Sequence, residues 1–484
     1  MKKIVVINDA CLLAPVVSDL EIVTPAKYLF SREYATLKNV RLFNLSAEYR
    51  YQSRGYYVSL LAEARGHKPI PSIKNIQDLK TPEIVKIISD ELNSLIQKSL
   101  GKLKSREFTL SVYFGRNVAH QYDKLASELH SLFPVPLFRV NFIRKTEWQL
   151  QTIKAIGFNE VPESHIPTFQ QAATAYFNKK RYRGKTSRPA YDLAILVNRE
   201  ESSPPSNERA LSRFMEAAEK EGIVPELISH KDYNRIGEYD ALFIRETTSV
   251  NHASYRFARR AQSEGMVVID DPDSILRCSN KVYLAELLSL ARIPVPKTVI
   301  ISSEMESAAP ELPCVLKLPD SSFSQGVVKV ETEEEFIAQV KQMLKSSDLI
   351  IGQEFLPSPY DWRIGFLDNQ PLFACKYFMA RNHWQIYNWN NKNKNDQSGD
   401  AETVQLGDVP GFVLETAARA AKLVGTGLYG VDVKEIGGKA YIMEINDNPN
   451  IDAGIEDKMA GDGLYLQIIR YIISKLRNRY NEHS

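Results

Sequence analysis

The sequence predicts an α/β protein whose last part changes to an α+β layout, and three observations predict it. Short apolar runs alternate with amphipathic stretches over the first 177 or so residues. The same alternation restarts at residue 191, beyond a basic segment. From Asp273 onward it gives way to helix, strand pair, loop and further strands. Helices between successive strands are what a parallel sheet requires. The expected domains are 1–177, an N-terminal α/β domain; 189–275, a small parallel α/β domain; and 276–484.

KKIVVIND reads as a short buried strand ending in polar residues. The lysines and apolar run that open the chain imitate a secretory signal, but Asn8 and Asp9 interrupt the run too early, so an opening strand fits better. GYYVSLLAEARGH (55–67) has Val58, Leu61, Ala62 and Arg65 at helical spacing. FTLSVYFG (108–115) reads as a strand, VAHQYDKLASELHSLF (118–133) as a helix and PLFRVNFI as another strand. Tyr49, Arg50, Tyr51, Gln52, Ser53 and Arg54 form a polar aromatic knot between elements, either a solvated loop or a substrate or partner surface.

NKKRYRGKTSR (178–188) carries six basic residues without apolar periodicity, the pattern of a solvated linker. Then follow the strand YDLAILVN, the helix ERALSRFMEAAEKEG, the strands VPELIS and YDALFIR, the helix ASYRFARRAQSEG and the strand MVVIDDP. The tail GLYLQIIRYIISKLRNRY is an amphipathic closing helix whose basic end suits the negative pole of a helix C-terminus.

Composition excludes several classes. At 44% apolar and 25% charged residues over 484, the chain has the balance of a soluble globular protein. A net charge of +2 does not call for a polyanion, so nucleic acid is not an expected partner. No run of about 18 apolar residues exists, so no membrane span is expected. Cys11, Cys278, Cys314 and Cys375 are far apart and give neither a zinc signature nor a disulfide framework, which makes a cytoplasmic setting the expectation.

YIMEINDNPN (441–450) carries the first chemical signal. Its apolar residues read as a buried strand, yet Glu444 sits inside it, and an unpaired buried carboxylate is costly. Residues two apart in a strand share a face, so Glu444 and Asn446 point the same way. Upstream, GVDV is a strand centred on Asp432, and Gly437–Gly438 marks a hairpin. A two-residue turn alone would put Asp432 opposite Met443, on the wrong face. A three-residue loop, or a bulge that restores the parity, pairs Asp432 with Glu444. Two carboxylates and an amide oxygen then converge, a donor set that suits Mg²⁺ with nucleotide phosphates. The alternative is a carboxylate held by a nearby Arg or Lys.

Such a site wants phosphate binders. Lys317 is central in the apolar strand CVLKLPD, where an anionic partner would compensate it. Lys281 opens the helix KVYLAELLSLA after Ser279–Asn280, against the dipole preference unless an anion sits there. DSSFSQGVVKV, between two strands, has the small hydroxylated character of a phosphate-cradling loop around Gly326. DLIIGQEFLP brings Gln353, Glu354, Phe355 and Leu356 to the end of a strand, where backbone groups can bond an adenine edge. In YDWRIGFLDN, Asp361 and Arg363 share a strand face, and the guanidinium suits a carboxylate or phosphoryl oxygen unless the two form a plain surface pair. In IRETTSVNHASY, Arg245 at a strand end is the candidate for gripping an acidic substrate, against a solvent-facing arginine beside a capping cluster.

Taken together, NKVYLAELL, VLKLPDSSFSQGVVKV, IGQEFLPSPYDWRIGFLDN, GLYGVDV and YIMEINDNPNIDAGIE resemble, in order and spacing, an ATP-grasp ligase of the RimK type, related to glutathione synthetase. By this resemblance 276–484 is an ATP-grasp domain and 189–275 the pre-ATP-grasp domain, while 1–177 looks like the extra N-terminal domain of a long RimK-like subgroup. The resemblance implies that Lys281, Lys317, Ser322, Ser324, Gln325 and Gly326 contact the ATP phosphates. It implies Gln353, Glu354 and Leu356 at the adenine hinge, Phe355 and Asp361 as further nucleotide-binding residues, and Asp432, Glu444 and Asn446 on magnesium, two ions, with Mn²⁺ an alternative. Arg363, with Lys317 and Arg381, would serve the reacting centre. Members of the family usually show an Arg-x-Asn-x-x-Arg-Gly-Gly-like run before the last strands. Here CKYFMARNHWQIYNWNNKNKNDQSGD stands instead, with Lys376, Arg381 and Asn388 as substitutes, His383, Trp384 and Trp389 as additions, and no Gly-Gly. That departure bears on the substrate, with Lys376 and Asn388 as candidates for it, and not on ATP. The tract NNKNKNDQSGD reads as a lid, and His383 as a packing histidine or a general base.

The function implied is an ATP-dependent carboxylate–amine ligase that works through an acyl phosphate and adds an amino acid to a peptide, protein or small acidic acceptor. Relatives make a homo-oligomer an option. Three other readings stay open: a macrocyclase of the same fold acting on a precursor peptide, a nucleotide-binding regulatory protein, and a kinase that stops at phosphoryl transfer.

Overall fold

The computed structural model describes residues 2–8, 20–37, 40–81, 85, 86, 89, 92–177, 191–303, 310–320, 326–381, 383–386 and 398–481. The basic segment 178–188 lies outside the described residues. The chain forms two compact units, residues 1–192, 231–238 and 479–484 in the first and 193–230 and 239–478 in the second.

The first unit holds two sheets. One is parallel, in the order Glu21–Val23, Lys2–Ile7, Val40–Leu45, Lys68–Ile70. Ile4, Val5, Val6 and Ile7 are all fully buried, as expected of a parallel strand covered on both faces. The other sheet is antiparallel, in the order Glu107–Tyr113, Leu137–Arg144, Trp148–Ala155. Alternation of strands with helices predicted a single parallel pattern here. The later strands instead meander, and Trp148–Ala155 shows why: its alternating buried and exposed residues belong to a sheet covered on one face. The aromatic knot is not simply a solvated loop. Tyr49 is buried with its hydroxyl on the Asn44 carbonyl, and Ser53 caps the helix Arg54–Ala64 by accepting from the Tyr56 amide. Tyr51 stays exposed.

The second unit carries three sheets. Val267–Ile269, Ala241–Ile244, Tyr191–Leu196 and Ile223–Ile228 follow one another in the first, with parallel pairing at its centre. The second is antiparallel, in the order Thr298–Ile301, Ile350–Glu354, Cys314–Lys317, Val327–Val330. Its apolar face packs on Phe336, Val340 and Met343 of the helix Glu333–Met343. The third runs Ala401–Val404, Gln370–Phe378, Tyr360–Leu367, Leu428–Ile436, Lys439–Asn446, antiparallel throughout. Trp362, Ile364, Val431, Val433 and Ile442 bury one face of it against Val413, Ala417, Ala420 and Val424 of the helix Gly411–Val424. The polar residues interleaved on these strands are thereby turned to the opposite face. The change from α/β to α+β at about residue 273 is as the sequence predicts, and the tail forms the helix Asp462–Asn481.

Candidate active site

The hairpin that carries Glu444 settles the register question. Ile436 pairs with Lys439, so Gly437 and Gly438 form a two-residue turn, both with positive φ, the left-handed region that glycine alone enters without strain. The parity is then restored by a bulge: Val433 pairs with Ile442 but Asp432 with Glu444, leaving Met443 extra. Asp432 and Glu444 are therefore cross-strand partners, and the Asn446 amide lies 3.4 Å from Asp432 Oδ2.

The neighbouring strand adds a second rung. Arg363 pairs in register with Asp432 and grips it with two arms, Nε on Oδ1 and Nη2 on Oδ2 at 2.8 Å. One step further along, Lys434 Nζ donates to Asp361 Oδ1 and to Ser358 Oγ, each at 2.6 Å. Asp361 and Arg363 are thus not paired with each other. Each meets an opposite charge across the strand, which offsets the cost of placing four charged groups on one half-buried face.

Lysines close the site from two other elements. Asn280 caps the helix Lys281–Leu290, accepting from the amides of Val282 and Tyr283, and fixes the first turn. Lys281 Nζ there lies 3.0 Å from Glu444 Oε1. Lys317 ends the strand Cys314–Lys317 and donates to Gln353 Oε1 at 2.7 Å, while Gln353 Nε2 donates to Thr298 Oγ1 at 3.0 Å.

Most of these side chains line one cavity of about 280 Å³, with Asn280, Thr298 and Ser358 behind them. Of the residues singled out in the sequence, Lys281, Lys317, Gln353, Glu354, Phe355, Leu356, Asp361, Arg363, Asp432, Glu444 and Asn446 all face it. Phe355 packs edge-on to Trp384, which also faces it, and Lys329 Nζ sits 4.4 Å from the Phe355 ring centre. Burial pulls the Lys317 pKa down to about 8, with Lys281 and Lys434 acting the same way and Glu444 and Asp361 opposing. Burial would raise the Glu444 pKa, but Lys281 and Lys317 hold it below the ordinary carboxylate range. Burial lifts Asp432 above its ordinary value despite Arg363.

A depressed lysine pKa in a cavity of this kind gives a direct test. A bound phosphate favours the protonated ammonium, so the Lys317 pKa should move up from about 8 when nucleotide arrives. Trace acetylation followed across pH and read by mass spectrometry should show a Lys317 midpoint near 8 in the free protein. With Mg·ATP the midpoint should rise and the reaction slow. A midpoint that nucleotide leaves unmoved would separate Lys317 from the phosphates.

Other residues singled out in the sequence lie elsewhere. Arg245 neither faces solvent nor reaches the cavity: it is buried, with Nε on Ser206 Oγ at 3.0 Å, Nη1 on Asn448 Oδ1 at 2.5 Å, and Nη2 on the carbonyls of Pro205 at 2.5 Å and Pro449 at 2.9 Å. Its place is as a clamp on the turn that follows Asn446, and burial lowers its pKa to about 10. Gly326 is a turn residue at φ +66°, where a Cβ would come within 2.9 Å of Leu318. Lys376 lies over the rings of Tyr360 and Trp362, 5.0 Å from each centre. Arg381 is exposed beyond the strand Gln370–Phe378, and His383 meets Gln385 at 3.2 Å. Ser322, Ser324, Gln325, Asn388, Trp389 and most of the NNKNKNDQSGD tract lie outside the described residues.

The sequence reading missed Lys434, Thr247, Thr248, Ser249, Asp447 and Asn448, all of which line the cavity. Lys434 had a signal, since it stands two residues after Asp432 on one strand face. Burial pushes Asp447 up to about 7.

Comparison with known proteins finds two family matches in the chain. Residues 25–172 match the RimK-like ATPgrasp N-terminal domain, and 293–453 match the D-ala D-ala ligase C-terminus. A protein named probable alpha-L-glutamate ligase 1, from Shewanella frigidimarina, is 25% identical over 291 residues, covering 55% of this chain and 92% of that one. The chain is an ATP-grasp ligase of the RimK-like type. Another similar protein, a probable alpha-L-glutamate ligase of Vibrio atlanticus, is 25% identical over 232 residues, 46% of this chain and 73% of that one. Among solved structures, D-alanine–D-alanine ligase from Bacillus anthracis aligns over 60% of this chain and 99% of its own, at a TM-score of 0.47 and 14% identity. A RimK domain ATP-grasp protein from Sphaerobacter thermophilus aligns over 58% and 99%, at 0.44 and 18%.

An ATP-grasp ligase makes an amide bond at the expense of ATP and releases ADP, and it uses Mg²⁺ and takes a carboxylate and an amine. The donors of this ligase fit that ion: Asp432 and Glu444 oppose each other, Asn446 is adjacent, and all offer hard oxygens. Both carboxylates also meet a cation, Asp432 through Arg363 and Glu444 through Lys281. No helix among the described residues is long and apolar enough to cross a membrane.

Proposed function

We propose that this ligase activates a carboxylate as an acyl phosphate and joins it to the amino group of an amino acid, extending a peptide, a protein or a small acidic acceptor. The observation that carries the reading is the convergence of Lys281, Lys317, Arg363, Asp432, Glu444 and Asn446 on the one cavity that also holds Gln353 to Leu356. The base is assigned to the Gln353–Leu356 strand end. Lys281 and Lys317 neutralise the phosphates, and Arg363 faces the γ-phosphoryl group and the oxyanion of the tetrahedral centre. Asp432, Glu444 and Asn446 would hold Mg²⁺, two ions in this reading, whose bound form supplies charge neutralisation for phosphoryl transfer.

The sequence of events needs no enzyme nucleophile. A substrate carboxylate oxygen attacks the γ-phosphorus and ADP leaves. The amine then attacks the acyl carbon, phosphate departs, and the nitrogen loses its proton to give the amide. What the protein contributes is placement and charge, which is most of what in-line transfer demands. We assign the nucleotide chemistry to residues 276–484, with 189–275 as the pre-ATP-grasp domain and 1–177 as the accessory domain. The names of the similar proteins favour L-glutamate as the amino acid to try first.

The test is ADP release from Mg·ATP against a panel of acids and amines, with glutamate and glutamyl peptides foremost. Turnover that needs one acid and one amine together is the expected result. Turnover with the acid alone and a stable phosphorylated product would replace the ligase reading with a kinase.

A further inference from the structure

Lys434 belongs to the cavity yet stands outside the set that the sequence marks for ATP. It is buried in the strand Leu428–Ile436, two residues beyond Asp432, and it faces the cavity. Its ammonium donates to Ser358 Oγ and Asp361 Oδ1, which occupies two of its three protons and leaves the third for a ligand. Its charge reaches Lys317, whose pKa it helps to depress.

Position points to the ligand. Asp361 and Ser358 lie just after the Gln353–Leu356 strand end, and Asp432 lies two residues before Lys434. Lys434 thus lines the same cavity as the strand end assigned to the base and the trio assigned to the metal, and its contact to Asp361 ties it to the strand that follows the first. Asp361 compensates the buried ammonium in the free protein, and a second lysine, Lys317, lines the same cavity, so the pair presents more positive charge than Asp361 alone offsets.

We propose that Lys434 is a nucleotide-binding lysine, held by Asp361 and Ser358 in the free protein and taking a phosphate oxygen near the ribose of the bound nucleotide as its third partner. The proposal rests on the nucleotide end of the cavity being as assigned above.

Calorimetric titration with adenosine, AMP and ADP separates the possibilities. Lys434→Met should weaken AMP and ADP at least tenfold and leave adenosine within twofold, because only the charged part of the ligand loses a partner. Lys434→Gln, which keeps a polar end for Ser358 and Asp361, should weaken AMP and ADP in the same way and serves if the methionine variant melts early. Equal weakening of adenosine would make Lys434 a structural residue and overturn the proposal, as would unchanged ADP affinity in both variants. Wild-type protein that binds neither adenosine nor ADP would instead overturn the assignment of the cavity itself.

Discussion

Glu444→Gln is expected to lower acid- and amine-dependent ADP release by about a thousandfold while the protein stays folded. Glu444 meets Lys281 by contact, stands opposite Asp432 and helps hold the Lys317 ammonium charged. The amide keeps the size and one oxygen but loses the charge that a divalent ion and two lysines share. A loss of several kcal/mol of charge stabilisation in the transition state corresponds to about that factor. The side chain is 31% exposed, so its ion pair with Lys281 should contribute only about 1 kcal/mol to stability. Melting curves within a few degrees of wild type, together with lost turnover, are the combined signature. A variant that keeps a tenth or more of the activity would show that Glu444 holds Lys281 in place and little else.

Arg245→Met should be the most destabilising single change in the second unit, by about 3–5 kcal/mol, because several buried acceptors lose their donor at once. The guanidinium donates to Ser206, Asn448 and the carbonyls of Pro205 and Pro449, and no compact side chain reaches all four. Asn448 in turn donates to the Glu246 carbonyl at 2.5 Å, and Ile451 donates to the Pro205 carbonyl at 2.9 Å. The whole turn after Asn446 is thereby fixed to the end of the parallel sheet. Thermal unfolding should show a midpoint lower by about 10 °C. Arg245→Lys should rescue little, since one ammonium has three protons and lacks the planar fork. A methionine variant as stable as wild type would mean that the four acceptors find other donors.

Local signals revealed elements, and pairing across the chain decided roles. The amphipathic and alternating patterns located most helices and strands, and Asn280 announced the helix that carries Lys281. Strand direction was judged from the helix between two strands, while the alternating residues of Trp148–Ala155, which mark a sheet covered on one face, went unused. The first unit's Glu107–Tyr113 and Leu137–Arg144 were therefore found but placed in the wrong kind of sheet. The parity argument for Asp432 and Glu444 named the need for an extra residue, while the bulge at Met443 depends on how two strands settle and left no mark in the residues themselves. Arg245 was drawn as a substrate contact because a charged residue ends a strand. Its partners, Asn448 and Pro449, stand some two hundred positions later, beyond the reach of any local pattern. Lys434 shared a face with Asp432, but its meaning came from Asp361 on another strand.

The central claim is an acyl phosphate formed from ATP at this cavity, and hydroxylamine tests it most directly. A neutral nucleophile captures an acyl phosphate as a hydroxamate without needing the natural amine. Protein incubated with Mg·ATP, hydroxylamine and each acid of the panel should yield hydroxamate in step with ADP, for at least one acid, and none in Glu444→Gln. Acid-dependent ADP release with no hydroxamate, or a stable phosphorylated acid that hydroxylamine leaves intact, would contradict the account.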